Sequence, residues 1–304
     1  MRGILVIVGA TAVGKSALAL EVAERAGAEI VSGDALQVYR GLDIGTAKPS
    51  TAEQARVPHH LIDALDPTER FSAGRFATLA RAALGEIAAR GRPAIVAGGS
   101  GLYLRALIAG IAPLPPADAA VRDLLERRLV EEGLGVLRGE LERIDPPTAA
   151  RLGAGDRQRI LRALEVALTT GRPLSSWLAE TPFGREPLPA RRIGLTLPRA
   201  LLYDRIEARV RRMLEAGWLD EVRGLLSSGV GTEAPAFQAI GYAQWVRHLA
   251  GELGFDEAFR RIVVATRRYA KRQETWFRHE ADVEWHDARD AAELAERLGR
   301  ELKA

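Results

Sequence analysis

The sequence predicts an α/β fold, in which helices cover both faces of a parallel sheet and a helical insertion domain interrupts the chain of the core. Three observations support this. Short apolar runs alternate with amphipathic stretches in the N-terminal third, a glycine-rich loop follows the first run, and a helix-rich segment separates two sheet-forming parts. The 304 residues suffice for a core and a smaller domain.

The predicted strands are the short apolar runs of the core. They are Ile4–Val8, Glu29–Ser32, His60–Asp63, Pro93–Ala97, Arg191–Leu197 and a short one at Val283–His286. Helical periodicity over Ser16–Arg25 and Ser72–Arg90 separates the first strands, which is typical of a parallel sheet with crossover helices. The C-terminal third has helical periodicity at 199–227, 255–280 and 288–303.

The helical insertion is predicted at 113–190, between core segments 1–112 and 191–304. Prolines mark its start at 113–116, residues 118–170 are mostly helical in pattern, and turn formers are frequent at 181–189. No apolar stretch reaches the roughly 20 residues of a membrane span. The N-terminal apolar run is too short for a signal peptide. We therefore expect a cytoplasmic protein without membrane contact.

The composition excludes several kinds of site. The chain has no cysteine, which rules out disulfides, thiolate zinc sites, iron–sulfur clusters and a cysteine nucleophile. The formal net charge is only +3, but the charge is unevenly distributed. Between Arg260 and Arg278 seven residues are basic and only Glu274 is acidic. A helix here would present a cationic face suited to nucleic-acid phosphates, with a solvated surface as the alternative.

The strongest motif is a phosphate-binding loop. Its residues fit G-x-x-x-x-G-K-[ST] and are Gly9, Ala10, Thr11, Ala12, Val13, Gly14, Lys15 and Ser16. The motif lies between a predicted strand and a predicted helix, which indicates a P-loop NTPase-like core. Glycines let backbone N–H groups converge on phosphate oxygens, and the helix N-terminus and Lys15 add positive charge. The Ser16 hydroxyl suits Mg²⁺. ATP, GTP and a prenyl diphosphate all fit this motif.

A carboxylate is predicted beside this loop. Asp34 follows the second strand at its carboxyl end, the edge where open α/β sheets build their sites. It can hold Mg²⁺ through water or accept a proton from a nucleophile, although a turn cap is the alternative. His59 and His60 resemble a metal-binding pair, but without cysteine or a third nearby histidine structural hydrogen bonding is favoured.

Ordered motifs along nearly the whole chain resemble the tRNA dimethylallyltransferase family, the tRNA isopentenyltransferases of bacteria. Besides the phosphate loop they include Asp34–Arg40, Asp43–Pro49, Pro58–Asp63, Gly98–Tyr103, Asp156–Arg159, Ala239–Tyr242 and Thr266–Gln273. The phosphate loop alone is unspecific, whereas the ordered set is specific. The resemblance implies transfer of a dimethylallyl group from its diphosphate to N6 of the adenosine that is 3′-adjacent to the anticodon in tRNA, with release of diphosphate.

The resemblance also implies residue roles. Asp34 would be the base, assisted by Thr11, Lys15 and Arg205, and Arg209 would bind diphosphate together with the loop and Mg²⁺. Surface solvation is the alternative for the two arginines. The tRNA anticodon stem-loop would contact residues of both domains, namely Asp34, Ala35, Leu36, Gln37, Ser100, Arg122, Gln158, Arg159, Ile160, Leu161, Arg162, Gln238, Gly241, Tyr242, Arg268, Lys271 and Arg272. The insertion would grip the anticodon arm, and we expect a monomer.

Three other functions remain open at this point. A P-loop small-molecule kinase would hold ATP in the same loop and use the insertion as a lid. An isopentenyltransferase of the same chemistry would act on free adenine nucleotides. A non-catalytic RNA-binding module would keep the loop for structural reasons. The size of the insertion and the cationic helix favour a macromolecular acceptor.

Overall fold

The computed structural model describes residues 3–112, 114–115, 118–180, 187–280 and 282–303. Pro113 and Pro116 of the predicted proline-rich boundary, and 181–186 of the turn-rich stretch, lie outside these described residues. The chain divides into two compact units. Met1–Ile108 and Leu188–Ala304 form the core unit, and Ala109–Pro187 forms the insertion unit.

The core unit is built on one six-stranded sheet. The strands are β1 (Ile4–Gly9), β2 (Glu29–Ser32), β3 (His59–His60), β4 (Ala94–Gly98), β5 (Arg191–Thr196) and β6 (Val283–Asp287). Their order across the sheet is β3-β2-β4-β1-β5-β6, and every neighbouring pair is parallel. The carboxyl ends of β1, β2 and β4 therefore meet at the same edge of the sheet, where α/β folds place their ligands.

The described residues form fourteen α-helices and two short 3-10 helices. The α-helices are α1 (Lys15–Ala26), α2 (Thr51–Arg56), α3 (Ala73–Ala89), α4 (Gly101–Ala109), α5 (Ala119–Glu132), α6 (Leu134–Ile144), α7 (Pro146–Arg151), α8 (Arg157–Thr170), α9 (Leu174–Glu180), α10 (Arg199–Glu215), α11 (Trp218–Ser227), α12 (Tyr242–Leu249), α13 (Phe255–Arg278) and α14 (Ala291–Lys303). The 3-10 helices are Pro235–Gln238 and Ala288–Asp290. None of the helices in the described part of the chain combines the length and the apolar character needed to cross a bilayer.

Alternating side chains of β1 separate two hydrophobic layers. Leu5 and Ile7 belong to the layer that contains α1, α10 and α14. Ile4, Val6 and Val8 belong to the opposite layer, with α3, α4 and the end of α13. This period of two is expected for a strand that is buried on both faces. β1 is thus held from both sides up to the start of the phosphate-binding loop.

A third hydrophobic cluster supports the segment that follows β2. Val38 and Leu42 of this segment pack with Trp218 of α11 and Tyr242 of α12. The Trp218 and Tyr242 rings meet edge to face, with centroids 5.7 Å apart. The backbone between β2 and α2 has no regular structure of its own, so its position depends on these aromatic side chains.

Several predicted elements differ from those in the structure. Strand β3 ends at His60 rather than at Asp63, because Leu61 and Asp63 have positive φ values of 61° and 53° and cannot continue a strand. The helix predicted over 199–227 is two helices, α10 and α11, because Gly217 adopts a φ of 95° between them. Helices α2, α4, α9 and α12 were not predicted.

The insertion unit has a hydrophobic core of its own, made by helices α5 to α8. Its fully buried members include Leu125, Leu137, Leu141, Ile160, Leu161 and Leu164. The insertion was predicted at 113–190, and the compact unit comprises Ala109–Pro187.

Candidate active site

The phosphate-binding loop connects β1 to α1 at the carboxyl edge of the sheet. Gly9 and Gly14 have φ values of 147° and 115°, a conformation that favours glycine. A Cβ at Gly9 would also lie 2.7 Å from the carbonyl oxygen of Leu195 on β5. Lys15 is the first residue of α1, so the free N–H groups of the first helical turn lie beside it. The loop therefore has the backbone that an anion site requires.

A cavity of about 450 Å³ opens at this loop. The phosphate loop, the segment after β2, the turn after β4, and helices α10 and α13 all contribute to its lining. The charged side chains among the described residues that line it are Lys15, Arg205, Arg209, Arg212 and Asp34. Four cations against one anion make the cavity suited to a ligand with several negative charges.

Lys15 is the cation that belongs to the loop itself. Its Nζ donates a hydrogen bond to the carbonyl oxygen of Ala10 at 2.7 Å. Burial and, after it, the charge of Arg209 lower the pKa of Lys15 to about 8, even though the charge of Asp34 raises it. An anion in the cavity would favour the charged form, so ligand binding and protonation of Lys15 support each other.

Asp34 lies directly beyond the carboxyl end of β2 and lines the same cavity. Its Oδ1 accepts a hydrogen bond from the N–H of Leu36 at 2.8 Å, and its own N–H donates to Oγ of Ser32 at 3.3 Å. The turn-cap alternative is therefore present, but it uses one carboxylate oxygen. No hydrogen bond from a described residue reaches Oδ2, which leaves that oxygen available to accept a proton.

The carboxamide of Gln37 is already hydrogen-bonded at both ends. Oε1 accepts from Oγ of Ser32 at 2.8 Å, and Nε2 donates to the carbonyl oxygens of Ala47 at 3.1 Å and Thr46 at 3.3 Å. Gln37 was predicted to contact tRNA. In this structure it lines the cavity, but its amide holds the Thr46–Ala47 backbone beside the segment that carries Asp34.

Arg205 and Arg209 lie one turn apart on α10, and both line the cavity. Nη1 of Arg205 donates to the carbonyl oxygen of Val13 at 3.4 Å, which ties the helix to the phosphate loop. Burial lowers the pKa of Arg209, while the nearby charge of Asp34 raises it. Arg212 also lines the cavity and was not predicted, although its spacing of three from Arg209 places it on the same helix face.

Two residues of α13 line the cavity without having been predicted as site residues. Gln273 is 5% exposed, and Tyr269 lies one turn before it. Burial, followed by the charge of Asp34, raises the pKa of Tyr269 to about 12. Both belong to the Thr266–Gln273 motif, and their spacing of four on a predicted helix was the signal that could have paired them.

The predicted tRNA contacts in the core unit fall into two groups. The accessible ones, exposed or half-buried, are Asp34, Ala35, Leu36, Gln37, Ser100, Gln238, Arg268, Lys271 and Arg272. Gly241 and Tyr242 are buried, and the Tyr242 hydroxyl donates to Oε1 of Glu221 at 2.6 Å. The prediction of tRNA contact is wrong for the Tyr242 side chain, because this side chain packs in the aromatic cluster behind the segment after β2. For Gly241, which has no side chain, the contact stays a prediction.

The cationic face of α13 is partly neutralised. Glu257 pairs with both Arg260 and Arg261. Glu207 of α10 pairs with Arg267 at 3.0 Å. The basic residues of this helix without an ion pair to any described residue are Arg268, Lys271, Arg272 and Arg278. The unpaired charge is thus concentrated in the second half of the helix.

The N-terminal turn of α8 carries further predicted tRNA contacts, in the insertion unit. Gln158 and Arg159 are exposed there, and Arg159 pairs with Asp156 at 2.9 Å. Ile160 and Leu161 are completely buried in the core of the unit. The prediction of tRNA contact is therefore wrong for these two side chains, because they face the helix partners inside the unit.

Arg122 and Arg162 are the two remaining predicted tRNA contacts of the insertion unit, and both form ion pairs inside it. Glu165 is 1% exposed and pairs with Arg162 at 3.1 Å and with Arg122 at 3.7 Å. Nη2 of Arg162 also donates to the carbonyl oxygen of Pro115 at 2.6 Å. A buried carboxylate needs such partners, so both arginines already have a structural task.

Both histidines of the His59–His60 pair make hydrogen bonds within the protein. Nε2 of His60 bonds to Glu29 at 2.7 Å, and Nδ1 of His59 donates to the carbonyl oxygen of Val57 at 2.8 Å. Across the described residues, no group of three or more His, Cys, Asp or Glu side chains could hold a metal ion. The structural reading of the two histidines agrees with these hydrogen bonds.

The cavity does offer two ligands to a metal that arrives with phosphate. Ser16 is exposed at the start of α1, and its hydroxyl lines the cavity together with the Asp34 carboxylate. Mg²⁺ usually keeps several waters and takes the rest of its shell from one or two carboxylates and from phosphate oxygens. The donor set therefore fits a phosphate-bound Mg²⁺ rather than a metal held by protein groups alone.

Comparison with known proteins gives consistent matches. A family model described as IPP transferase matches residues 37–280. The tRNA dimethylallyltransferase of Geobacter metallireducens is 50% identical over 93% of this chain and 91% of that protein. The full-length tRNA isopentenylpyrophosphate transferase of Bacillus halodurans has a TM-score of 0.71 at 38% identity, over 100% of this chain and 97% of that one. A eukaryotic dimethylallyltransferase acting on tRNA has a TM-score of 0.80 at 28% identity, over 99% and 77%.

Proposed function

The chain belongs to the IPP transferase family, and we propose that it transfers the dimethylallyl group of dimethylallyl diphosphate to N6 of an adenosine in tRNA. The proposed acceptor is the adenosine 3′-adjacent to the anticodon, and diphosphate is the leaving group. One observation carries the proposal: the phosphate loop and Asp34 line a single cavity. Such a cavity holds the donor's charge next to a base for the acceptor.

The side chains of the cavity divide the reaction between them. N6 of adenine is a weak nucleophile, because its lone pair is delocalised into the ring. As the bond from N6 to C1 of the prenyl group forms and the C1–O bond breaks, Asp34 accepts the N6 proton through Oδ2. Lys15 and Arg209, with the N–H groups of the loop, stabilise the charge that develops on the departing diphosphate. No ATP is consumed.

A magnesium ion would neutralise part of the diphosphate charge and assist its departure. Ser16 and Asp34 are the residues that would hold it, together with oxygens of the diphosphate. Because Asp34 has one oxygen outside its turn, it can serve the metal through water or serve the acceptor proton. The rate of an Asp34→Asn variant at different Mg²⁺ concentrations separates these two roles.

The acceptor must leave its base stack to reach a buried site, and RNA loops allow this at low cost. We propose that Arg268, Lys271 and Arg272 bind the phosphates of the anticodon arm and that the insertion unit grips the arm through Gln158 and Arg159. We also propose that the protein acts as a monomer. We propose that the activity is cytoplasmic, in keeping with a tRNA acceptor.

The decisive experiment offers the purified protein radiolabelled dimethylallyl diphosphate together with unmodified tRNA, AMP or ATP. We expect label in tRNA only, recovered after digestion as an N6-modified adenosine. Label in AMP but not in tRNA would instead identify an enzyme of free nucleotides. Consumption of ATP without prenyl transfer would identify a kinase.

A further inference from the structure

Gln273 bridges two backbone segments that line the cavity. Its Oε1 accepts a hydrogen bond from the N–H of Thr11 at 2.8 Å, and its Nε2 donates to the carbonyl oxygen of Gly99 at 2.8 Å. Thr11 belongs to the phosphate loop after β1, and Gly99 to the turn after β4. One side chain of α13 therefore joins the ends of two neighbouring strands.

We propose that Gln273 is a positioning residue of this site, which fixes the backbone of the phosphate loop at Thr11 against the turn after β4 and so sets the loop for prenyl transfer. The inference rests on the proposed function for its activity test. It concerns a residue that does not need to touch either substrate, since both ends of its carboxamide are already bonded to backbone atoms.

The hydrogen bond to Thr11 changes what the loop can offer a ligand. Phosphate loops normally direct their N–H groups at the anion. Here the Thr11 N–H is used by Gln273, so the first part of the loop is held by the protein and not by the ligand. The loop is thus organised before diphosphate arrives, which lowers the cost of ordering it on binding.

A carboxamide suits this bridge better than the other side chains of similar size. It presents an acceptor to Thr11 and a donor to Gly99 at the same time. A carboxylate would provide the acceptor without the donor, and methionine would provide neither. With Gln273 5% exposed, water cannot easily replace a lost partner, so either change leaves a buried backbone group unsatisfied.

The turn after β4 packs closely against α13 at two glycines. A Cβ at Gly99 would overlap the Gln273 carboxamide, and a Cβ at Gly101 would overlap the indole of Trp276. Both glycines therefore allow the helix to approach the turn. The same helix carries Tyr269 into the cavity and Lys271 on its exposed side. The Gln273 bridge consequently fixes the position of the phosphate loop relative to α13, the helix that also contributes Tyr269 to the cavity.

The test compares Gln273→Met, which keeps the volume and loses both hydrogen bonds, with Gln54→Met as the matched control. Gln54 also makes one carboxamide hydrogen bond to a backbone carbonyl, that of Pro49 at 2.8 Å, but does not line the phosphate cavity. Steady-state kcat, KM for the prenyl donor, and affinities for inorganic diphosphate and for tRNA are measured at a temperature where each variant is folded by circular dichroism.

We expect Gln273→Met to lower kcat by about 10²-fold, the typical effect of misplacing a catalytic element by an ångström. Its affinity for inorganic diphosphate should fall, its affinity for tRNA should stay, and Gln54→Met should match the wild type. Wild-type kcat in Gln273→Met would overturn the proposal. A loss confined to tRNA affinity would also overturn it, because Gln273 would then be an RNA contact.

A second variant, Gln273→Glu, keeps the shape and adds a pH signature. When protonated, the introduced carboxyl accepts from Thr11 and donates to Gly99; when ionised, it cannot donate. The ratio of its kcat to the wild-type kcat should therefore rise as the pH falls from about 8 to about 5.5, through the carboxyl pKa that burial raises. A ratio independent of pH would contradict the role of the donor. If the wild type transfers no prenyl group, the proposed function fails, whereas equal diphosphate affinity of wild type and Gln273→Met would reject the positioning role by itself.

Discussion

Nζ of Lys15 donates a hydrogen bond to the carbonyl oxygen of Ala10 at 2.7 Å, so the phosphate loop closes on its own lysine. The contact keeps a buried cation hydrogen-bonded without a ligand. It also places the lysine where its charge depends on its surroundings, since burial and Arg209 both lower its pKa, to about 8. The affinity of the site for anions should therefore depend on pH in a range where assays are practical.

The first prediction is that affinity for inorganic diphosphate falls as the pH rises above about 8. In the free protein Lys15 loses its proton there, whereas bound diphosphate raises its pKa, so binding takes up a proton between the two pKa values. Within that window the affinity should fall by up to about tenfold per pH unit. Below the window Lys15 is protonated in both the free and the bound protein, so it should cause no loss of affinity. Titration calorimetry at several pH values measures this. Lys15→Arg is the control, because its guanidinium does not titrate in this range; an identical pH profile for both proteins would contradict the assignment.

Removal of the Arg209 guanidinium should move the pH range in which diphosphate affinity falls to higher pH. The charge of Arg209 is the second cause of the low Lys15 pKa, after burial. Arg209→Met should therefore weaken diphosphate binding at neutral pH and shift the onset of the pH-dependent loss above about 8, towards the ordinary lysine value. Arg212→Met is the matched control, since Arg212 lines the same cavity but does not contribute to the shift of Lys15. Equal onsets in the two variants would refute the electrostatic coupling.

Asp34→Asn should lower kcat by roughly 10²–10⁴, the usual contribution of a general base, while tRNA binding is retained. Asparagine keeps an oxygen for the Leu36 N–H, so the turn survives and only the basic oxygen is lost. Asp66→Asn is a suitable control, because Asp66 accepts the N–H of Thr68 in a similar turn outside the cavity. Unchanged kcat in Asp34→Asn would remove Asp34 from the role of base.

If Asp34 acts mainly through Mg²⁺, the same variant behaves differently. Loss of a metal contact should raise the Mg²⁺ concentration needed for half-maximal rate, whereas loss of a base should lower kcat even at saturating Mg²⁺. Measurement of the rate of Asp34→Asn against Mg²⁺ concentration therefore distinguishes the two roles.

Gly45→Ala should destabilise the fold. A Cβ at Gly45 would overlap the buried rings of Trp218 and Tyr242, which are rigid and packed together. Such overpacking costs typically about 1–3 kcal/mol in the free energy of unfolding, measured by urea denaturation. Gly85→Ala provides the opposite control: Gly85 lies in α3 with open space around it, so alanine should stabilise by about 0.5–1 kcal/mol. An unchanged free energy of unfolding in Gly45→Ala would show that the aromatic cluster can move to make room for the added Cβ.

Lys271→Gln should weaken tRNA binding and lower the salt dependence of the binding constant by nearly one phosphate contact, a slope change of about 0.7–0.9. Lys271 is exposed and has no ion pair with a described residue. Arg260→Gln, on the same helix, should have a smaller effect because Glu257 already neutralises Arg260 at 2.8 Å. Fluorescence titration of labelled tRNA at several salt concentrations tests the difference, and equal slope changes would contradict it.

The sequence was sufficient for the elements whose neighbours along the chain determine them. Ile4–Val8 is an unbroken apolar run because β1 is buried on both faces, and such runs are readily recognised as central strands. Asp34 could be placed because its position after β2 fixes the edge of the sheet to which it belongs. By contrast, the end of β3 depends on the left-handed backbone at Leu61, which the local sequence pattern does not predict.

The remaining differences concern the direction of side chains within the segments that the motifs indicated. The motif Asp156–Arg159 and the predicted contacts that follow it indicated an important helix, but Ile160 and Leu161 point into the insertion unit while Gln158 does not. In the same way Gln273 was seen as part of a motif and not as a site residue. Its partners lie 262 and 174 positions away in the chain, so only the folded structure brings them together.

The strand order has a consequence for how the protein is made. β1 is central in the sheet, and one of its two neighbours, β5, starts at Arg191, far along the chain. At a synthesis rate of roughly 5–20 residues per second, one edge of the nascent β1 waits on the order of 10–40 s for its partner. During that interval an apolar strand edge is open to wrong pairing, so we expect the emerging chain to depend on chaperones until the second half of its core unit has left the ribosome.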